Sequence, residues 1–209
     1  MPLKFIQYPT EETCLGGWDI TESLEELCHL YPLHEEKLDF LALKSEKRKK
    51  QWLAARILAL VLMEKSGWEI SHILKDIENK PYTENPNYFI SISHSHHVCA
   101  AMISKKYSVG VDIENYDRDF QQVKNKFLNQ PELDFVQDND EKACLYWTMK
   151  EAIYKVIGKP VYNFKDTIFA QNPIGDKINV YISPIDKKLD VRFFRIGVYY
   201  ISFVWKDPS

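Results

Sequence analysis

The sequence lacks the features that mark secreted, disulfide-rich or membrane proteins. Its 4 cysteines lie far apart and form no Cys-x-x-Cys pair, which favours buried free thiols in a reducing compartment over a disulfide framework. No apolar run approaches about 18–20 residues, so no membrane-spanning helix is expected. No N-terminal stretch has the charged start, apolar middle and small-residue cleavage site of a signal peptide, and we therefore expect a cytoplasmic protein.

The sequence also lacks a large excess of either charge. The formal net charge is −3, and 45% of the residues are hydrophobic and 27% charged. This composition is typical of a soluble globular protein and gives no general attraction to nucleic acid or to a membrane surface. Any anion-binding site must therefore be local. At 209 residues the chain can bury a core without disulfides or a structural metal.

The hydrophobic pattern predicts both helices and strands. Long helices are expected over residues 45–65 and 141–157, the first stopped by Gly67 and the second by Gly158. Strands separated by short polar turns are expected over residues 88–93, 98–104 and 107–114, which suggests a meander.

A long helix and a sheet are thus predicted on either side of about residue 105. This pattern predicts an α+β fold of two similarly built halves, residues 1–105 and 106–209. No low-complexity stretch and no Gly/Ser linker separates the halves, so we expect them to pack tightly.

Two carboxylates close the strand predicted over residues 107–114. Because side chains alternate along a strand, Asp112 and Glu114 point to the same face, roughly 6–7 Å apart, while Val111 and Ile113 point into the core. Two acids on one strand face repel each other unless a cation lies between them.

A second charged group lies on the helix predicted over residues 141–157. Glu151 and Lys155 are four residues apart and therefore neighbours on one stripe, with Trp147 one turn earlier. Together with Asp112 and Glu114, Glu151 forms an all-oxygen ligand set that suits Mg²⁺ bound to a substrate phosphate. The alternative is three surface acids without a ligand.

Basic residues are concentrated at the start of the first long helix, which then becomes apolar except for Arg56. A guanidinium among apolar neighbours cannot lose its proton, so Arg56 needs an acidic partner or a bound anion. A salt bridge to a nearby glutamate and an anion site both remain open. Residues 93–97 contain three histidines but no matching Cys/His pair for zinc, and they are better suited to hydrogen bonding with a phosphate.

Four segments, in this order, resemble the motifs of the Sfp-type 4′-phosphopantetheinyl transferases. They are the turn 79–81 (Asn-Lys-Pro), the turn 91–95 (Ser-Ile-Ser-His-Ser), the strand 110–114 (Gly-Val-Asp-Ile-Glu) and the helix segment 147–155 (Trp-Thr-Met-Lys-Glu-Ala-Ile-Tyr-Lys). The resemblance covers roughly residues 45–160. Asn79 replaces the usual glycine, which is a mild change because asparagine tolerates positive φ. Ser91 stands where asparagine is common, and Pro160 where a second glycine is frequent.

The resemblance implies two pseudo-symmetric α+β halves in one chain, with coenzyme A bound in the cleft between them. Asp112, Glu114 and Glu151 would hold Mg²⁺ with the pyrophosphate of the coenzyme, and Lys155 and Lys150 would contact its phosphates. The N-terminal half would bind the nucleotide and 3′-phosphate. The residues implied there are Arg56 and His94 with Lys47 or Arg48 for the 3′-phosphate, and Lys80, Pro81 and Ser93 beside the nucleotide.

The activity implied is transfer of the 4′-phosphopantetheine arm of coenzyme A to a serine hydroxyl of an apo acyl or peptidyl carrier protein. Adenosine 3′,5′-bisphosphate is released, and Glu151, Lys155 and Asp112 are the expected catalytic residues, with Glu151 as the candidate base. Exposed apolar or basic residues between 120 and 136 are expected carrier contacts. Two halves in one chain make a monomer sufficient.

Two other functions fit parts of the pattern. An Asp-x-Glu strand with a lysine also suits a metal-dependent nuclease or phosphodiesterase, but the acidic net charge and the lack of an extended basic, aromatic face argue against nucleic acid as a partner. A noncatalytic coenzyme A-binding module is the second alternative, and the presence of all three carboxylates with Lys155 argues for activity.

Overall fold

The computed structural model of the chain describes residues 2–31, 33, 37–158 and 163–208. The chain divides into two compact units, Met1–Ser108 with Asp207–Ser209, and Val109–Lys206. Each unit contains an antiparallel sheet and one long helix, so the predicted α+β fold is confirmed. Pro160, which bears on the path of the chain after the second long helix, lies outside the described residues.

The first unit is built on a four-stranded sheet with the strand order β1-β2-β6-β5 and a separate two-stranded ladder of β3 and β4. Its elements are β1 (Leu3–Thr10), β2 (Thr13–Asp19), α1 (Leu24–Leu30), α2 (Lys37–Leu41), α3 (Glu46–Lys65), β3 (Ile73–Lys75), β4 (Pro81–Thr83), β5 (Phe89–Ser95) and β6 (Val98–Ser104).

Helix α3 is the long helix predicted in the first half of the chain. It begins at Ser45, whose side chain accepts a hydrogen bond from the Arg48 N–H, and the chain turns at Gly67 with a φ of 65°. Beyond its basic first turns the helix is buried, with Leu53, Leu58 and Leu62 among the fully buried core residues. Burial of this apolar surface stabilises the unit and leaves the basic first turns at its edge.

The second unit is built on a five-stranded sheet with the strand order β7-β11-β10-β9-β8. Its elements are β7 (Ser108–Asn115), α4 (Lys124–Phe127), α5 (Gln130–Val136), α6 (Asp140–Ile157), α7 (Phe164–Thr167), β8 (Ile168–Ala170), β9 (Lys177–Ile182), a 3₁₀ turn (Ser183–Ile185), β10 (Lys187–Ile196) and β11 (Tyr199–Lys206).

Helix α6 is the second predicted long helix, and it packs on β11 through a polar and an apolar contact. The Thr148 and Ser202 hydroxyls lie 2.8 Å apart and are buried. Around them, Met149 and Ile153 belong to the same buried cluster as Val204. These contacts fix the position of α6 along β11, and they therefore fix the positions of the polar side chains on α6.

The third strand of the predicted meander does not pair as expected, and that part of the prediction is wrong. Strands β5 and β6 do form an antiparallel pair, from Phe89↔Ser104 to Ser95↔Val98. Strand β6 is also paired with β2, so both of its edges are occupied and β7 instead lies beside β11. Short polar turns identify strands, but they do not show which neighbour each strand pairs with.

Candidate active site

Burial is continuous along β7 from Val109 to Ile113 and includes Asp112 as well as the apolar residues. Val111 and Ile113 are buried, and Asp112 and Glu114 alternate with them. Asp112 is itself largely buried, while Glu114 is partly exposed. The two carboxylates therefore lie at the end of a strand whose neighbouring residues are fixed in place by burial.

The helix α6 meets β7 at an ion pair between Lys155 and Asp112. The Lys155 Nζ donates to the Asp112 Oδ1 at 2.7 Å and to the Val111 carbonyl oxygen at 2.9 Å. One ammonium thus contacts both the backbone and a carboxylate of β7. Such charge-assisted hydrogen bonds are roughly twice as strong as neutral ones, and they fix the side chain of Lys155 beside the strand.

The close approach of β7 to α6 depends on Gly110. A Cβ atom at this position would lie 2.0 Å from the Ala152 carbonyl oxygen and 3.2 Å from the Val156 Cβ. No larger residue fits against the helix backbone at that distance. The glycine that opens the Gly-Val-Asp-Ile-Glu segment is therefore explained by packing.

We predict that Gly110→Ala will lower the free energy of unfolding by about 3 kcal/mol, because overpacking typically costs about 1–3 kcal/mol and the clashing atom here belongs to the backbone. Urea denaturation measures this change. Gly175→Ala is the control, since Gly175 has open space around it and a φ of 61°. It should cost only about 1 kcal/mol, the price of a left-handed backbone. Equal losses in the two variants would mean that the contact at Ala152 relaxes.

Glu151 lies on α6 one turn before Lys155 and shares the electrostatic environment of the strand carboxylates. Its pKa is raised to about 7, chiefly by burial and then by repulsion from Asp112, with a smaller contribution of the same sign from Glu114. Lys155 acts in the opposite direction. We use the name carboxylate site for Asp112, Glu114, Glu151 and Lys155. A carboxyl with a pKa near neutrality is a better proton acceptor than an ordinary glutamate.

The donor set of the carboxylate site fits a hard divalent cation. Its three carboxylates supply oxygen ligands, and a cation would relieve the repulsion that Asp112 and Glu114 exert on Glu151. Within the part of the chain that the structure describes, however, no three such side chains are arranged to hold a metal ion at once. Binding by all three would require them to exchange present partners for the cation, so the metal role of these residues stays a prediction.

Glu114 contacts an arginine that the sequence interpretation did not include. The Arg118 Nη1 lies 2.9 Å from the Glu114 Oε2. The guanidinium carbon of Arg118 is 5.7 Å from the centre of the Trp147 ring and 5.3 Å from that of Phe120. The spacing of four residues between Glu114 and Arg118 was the available signal, but it indicates a contact only in a helix, and here the chain turns after β7.

Lys150 lies in the core of the second unit and not at the carboxylate site. Its side chain is 0% exposed. The ammonium donates to the Glu132 Oε2 at 2.6 Å, to the Phe127 carbonyl oxygen at 2.8 Å and to the Ile168 carbonyl oxygen at 3.0 Å. Burial lowers its pKa, and Glu132 opposes that shift.

The expectation that Lys150 adds to a phosphate cradle is therefore not supported by its position, and we infer a structural role. The physical reason is helix geometry, since consecutive residues of a helix point about 100° apart and Lys150 cannot share the direction of Glu151. Lys150 instead shares a face with Tyr146 and Ile153, both fully buried. Nothing in the sequence indicated that Glu132 is buried. It is the third helical residue of α5 and forms a capping box with Asn129, and this local role explains a glutamate there without burial.

In the first unit, the structure brings Arg48 and His94 together. The Arg48 Nη1 lies 3.3 Å from the His94 Nε2 and donates to the Gln51 Oε1 at 3.2 Å. Both Arg48 and His94 are exposed, so their polar atoms face solvent near the start of α3. Lys47, from the same turn, lines a cavity of about 340 Å³ together with Lys50 and other residues.

Arg56 is buried in a way that the sequence interpretation did not consider. Its guanidinium carbon lies 3.4 Å from the centre of the Trp52 ring, and its Nη1 lies 3.4 Å from the Trp52 carbonyl oxygen. Only 6% of the residue is exposed. Stacking on an indole stabilises a desolvated guanidinium by about 2 kcal/mol or more, so this contact offsets part of the cost of burying Arg56.

The remaining predicted nucleotide contacts lie on the turn before β4 and on β5. Asn79 has a φ of 64°, the conformation expected where it replaces a glycine. The Lys80 N–H donates to the Asp76 Oδ1 at 2.9 Å, and Pro81 begins β4. Ser93 is largely buried on β5. Lys80, Pro81 and Ser93 are the residues predicted to border the nucleotide, and that role stays a prediction.

Two models of known protein families match the regions of the chain that carry these residues. A family model described as the 4′-phosphopantetheinyl transferase superfamily matches residues 108–203, and one described as the 4′-phosphopantetheinyl transferase N-terminal domain matches residues 35–104. The chain belongs to the 4′-phosphopantetheinyl transferase superfamily. A search of the curated proteins finds no significant match.

The chain carries both matched regions, so the predicted resemblance to the Sfp-type family is confirmed. The superfamily match contains β7 and α6, and hence the carboxylate site. The N-terminal match contains α3 and His94. Among the described residues, no helix has the length and apolar character needed to span a membrane.

Proposed function

We propose that the protein transfers the 4′-phosphopantetheine arm of coenzyme A to a serine hydroxyl of an apo carrier protein and releases adenosine 3′,5′-bisphosphate. The observation that carries this proposal is the carboxylate site itself. Asp112 and Lys155 are joined at 2.7 Å, with Glu151 in the same electrostatic environment, in a chain of the transferase superfamily. The two sequence alternatives, a nuclease and a noncatalytic module, become outcomes of the test below.

Asp112, Glu114 and Glu151 are the residues that we propose hold Mg²⁺. The chemistry supplied by such a cation is neutralisation of the charge that develops on pyrophosphate oxygens during transfer. Mg²⁺ usually takes one or two carboxylates from the protein and the rest of its coordination from water and substrate phosphates, which suits a group of acids at the end of one strand and on one helix.

Lys155 is the residue that we propose faces the phosphates. An ammonium has three N–H donors, and two of them contact Val111 and Asp112. The third is assigned to a phosphate oxygen. A lysine whose stem is already fixed by two hydrogen bonds loses little freedom when it binds an anion, so its charge is preorganised for the transition state.

Glu151 is the proposed proton acceptor. The serine oxygen attacks the β-phosphorus, and the bond between that phosphorus and the bridging oxygen breaks. Adenosine 3′,5′-bisphosphate leaves with the electron pair, and the serine proton passes to Glu151 directly or through water. The proton is accepted late, as the bond to the bridging oxygen breaks, or is relayed through a water molecule.

The other end of the coenzyme is assigned to the first unit. Arg48 and His94, which lie within 3.3 Å of each other, are proposed to bind the 3′-phosphate, with Lys47 and the stacked Arg56 adding positive charge. Arginine forms two parallel hydrogen bonds to phosphate, which gives both affinity and orientation. Lys80, Pro81 and Ser93 are proposed to border the nucleotide.

The carrier protein is proposed to approach the second unit at exposed residues between 120 and 136. Carrier proteins are usually acidic helical bundles, so basic residues such as Lys126 are suitable contacts. Both matched regions lie in one chain, and a monomer is proposed to be sufficient.

A single incubation tests the proposed function. An apo carrier protein is mixed with this protein, Mg²⁺ and coenzyme A, and its mass is measured. Transfer should add one phosphopantetheine arm, about 340 Da from its covalent formula, to the carrier. Coenzyme A that is bound but not consumed would instead indicate a noncatalytic module, and cleavage of DNA in a parallel reaction would indicate a nuclease. The matched controls omit Mg²⁺ or replace the carrier serine with alanine.

A further inference from the structure

Arg118 lies at the edge of the carboxylate site, where no sequence motif assigns it a role. Its guanidinium reaches Glu114 at 2.9 Å from the turn that follows β7. On its other side it faces Trp147, which is one turn before Glu151 on α6, and Phe120. Arg118 therefore connects the carboxylate end of β7 with the helix stripe that carries Glu151.

The charges around the carboxylate site explain why an arginine is placed there. Asp112 and Glu114 both repel Glu151, and such repulsion is unfavourable unless cations lie between the carboxylates. In the structure Lys155 pairs with Asp112, and Arg118 pairs with Glu114. A divalent cation bound by the same carboxylates would compete directly with these contacts.

The aromatic contacts determine what happens to Arg118 when it loses Glu114. The guanidinium carbon is within 6 Å of two ring centres, close enough for cation–π attraction to keep the side chain beside the rings after it leaves Glu114. Arg118 is also 44% exposed, so a displaced guanidinium remains hydrated. Exchange between the two states therefore requires a small rotation and not a refolding of the turn.

We infer that Arg118 is the internal counter-ion of the carboxylate site, which occupies Glu114 in the cation-free protein and is displaced when a divalent cation binds. This inference rests on the proposed function, because it takes the carboxylates as cation ligands. Arg118 acts through Glu114 and contacts no reacting atom in this scheme, so it is a positioning residue. Its effect is to weaken cation binding in the absence of substrate.

Direct binding of Mn²⁺, followed by the loss of its free-ion signal in electron paramagnetic resonance, tests this inference without an activity assay. Arg118→Gln should bind Mn²⁺ about threefold to fivefold more tightly than the unaltered protein, because the competing cation is gone. Arg195→Gln is the matched control. Arg195 is 51% exposed and pairs with Glu141 elsewhere on the same unit, so its loss should change Mn²⁺ affinity by less than about twofold.

A double-mutant cycle separates direct competition from a general field of positive charge. If Arg118 acts through Glu114, Arg118→Gln should change Mn²⁺ affinity by less than about twofold when Glu114→Gln is already present. A melting-temperature measurement gives a second readout, since Arg118→Gln should gain more thermal stability on Mn²⁺ addition than the unaltered protein.

Three results would overturn the inference. Unchanged or weaker Mn²⁺ binding by Arg118→Gln would show that no competition occurs, and an undiminished effect in the Glu114→Gln background would show that Arg118 acts only through its field. If Mn²⁺ binding is the same in the unaltered protein and in Asp112→Asn, or absent from both, the proposed metal site fails, and the inference fails with it. This result is distinguishable from the first two, in which Mn²⁺ binding depends on Asp112.

Discussion

Replacing Lys150 with methionine is expected to lower the free energy of unfolding by about 3–5 kcal/mol, the usual cost of breaking a buried ion pair by removing one partner. Methionine has a similar length, so little cavity is created. The loss comes from Glu132, which is 1% exposed and would be left buried without its cation. Two backbone carbonyl oxygens, of Phe127 and Ile168, would also lose their donor. Urea denaturation followed by fluorescence measures the change.

The matched control for Lys150→Met is the double variant Lys150→Met/Glu132→Gln. Glu132 accepts from the Asn129 and Ala170 N–H groups on different oxygens, and a neutral glutamine has one acceptor oxygen, so it can keep one of these two hydrogen bonds. The double variant should regain part of the lost stability, because no unpaired charge stays buried. If Lys150→Met were as stable as the unaltered protein but bound coenzyme A weakly, the sequence-based assignment of Lys150 to the phosphates would be right and the structural role wrong.

Replacing Glu151 with glutamine is expected to reduce turnover by roughly 10²–10⁴-fold, the range over which a positioned general base contributes. Glutamine keeps the shape of the side chain and cannot accept the serine proton. Coenzyme A binding should change by no more than about threefold at saturating Mg²⁺, because the other proposed contacts with the coenzyme are retained. The rate is followed by the mass gain of the carrier, and binding by calorimetry.

The control for Glu151→Gln is Glu141→Gln on the same helix. Glu141 pairs with Arg195 and accepts a hydrogen bond from the Tyr200 hydroxyl, away from the carboxylate site. Its replacement removes the same charge and should leave turnover within about twofold. If Glu151→Gln weakened coenzyme A binding as much as it slowed turnover, Glu151 would be a ligand-binding residue and not the proton acceptor.

The local elements of the active-site region could be predicted because each depends on a short-range pattern. Alternation of polar and apolar residues was enough to predict that Val111 and Ile113 of β7 are buried. Spacing by four residues placed Glu151 and Lys155 on one stripe of α6. Neither pattern required knowledge of the other segment. Their resemblance to family motifs then led to the superfamily that the comparisons confirm.

Contacts between distant segments could not be predicted in the same way. Lys150 and Glu132 are 18 residues apart and both charged, and either alone reads as a surface residue. Their burial depends on the packing of α5 and α7 around α6. The contact of Arg118 with Trp147 depends similarly on the path of the turn after β7. Strand pairing had the same limitation, as the wrong third strand of the meander demonstrates.

The amino-acid sequence by itself determined the two long helices, the strands β5, β6 and β7 and the family to which the protein belongs. These follow from periodicity and motif spacing, which act over a few residues. Only the tertiary structure decided that Lys155 pairs with Asp112, that Lys150 is sealed in the core and that Arg118 contacts Glu114. The reason is that the free energy of a charged side chain depends on burial and on partners brought from elsewhere in the chain, and both arise only when the elements pack.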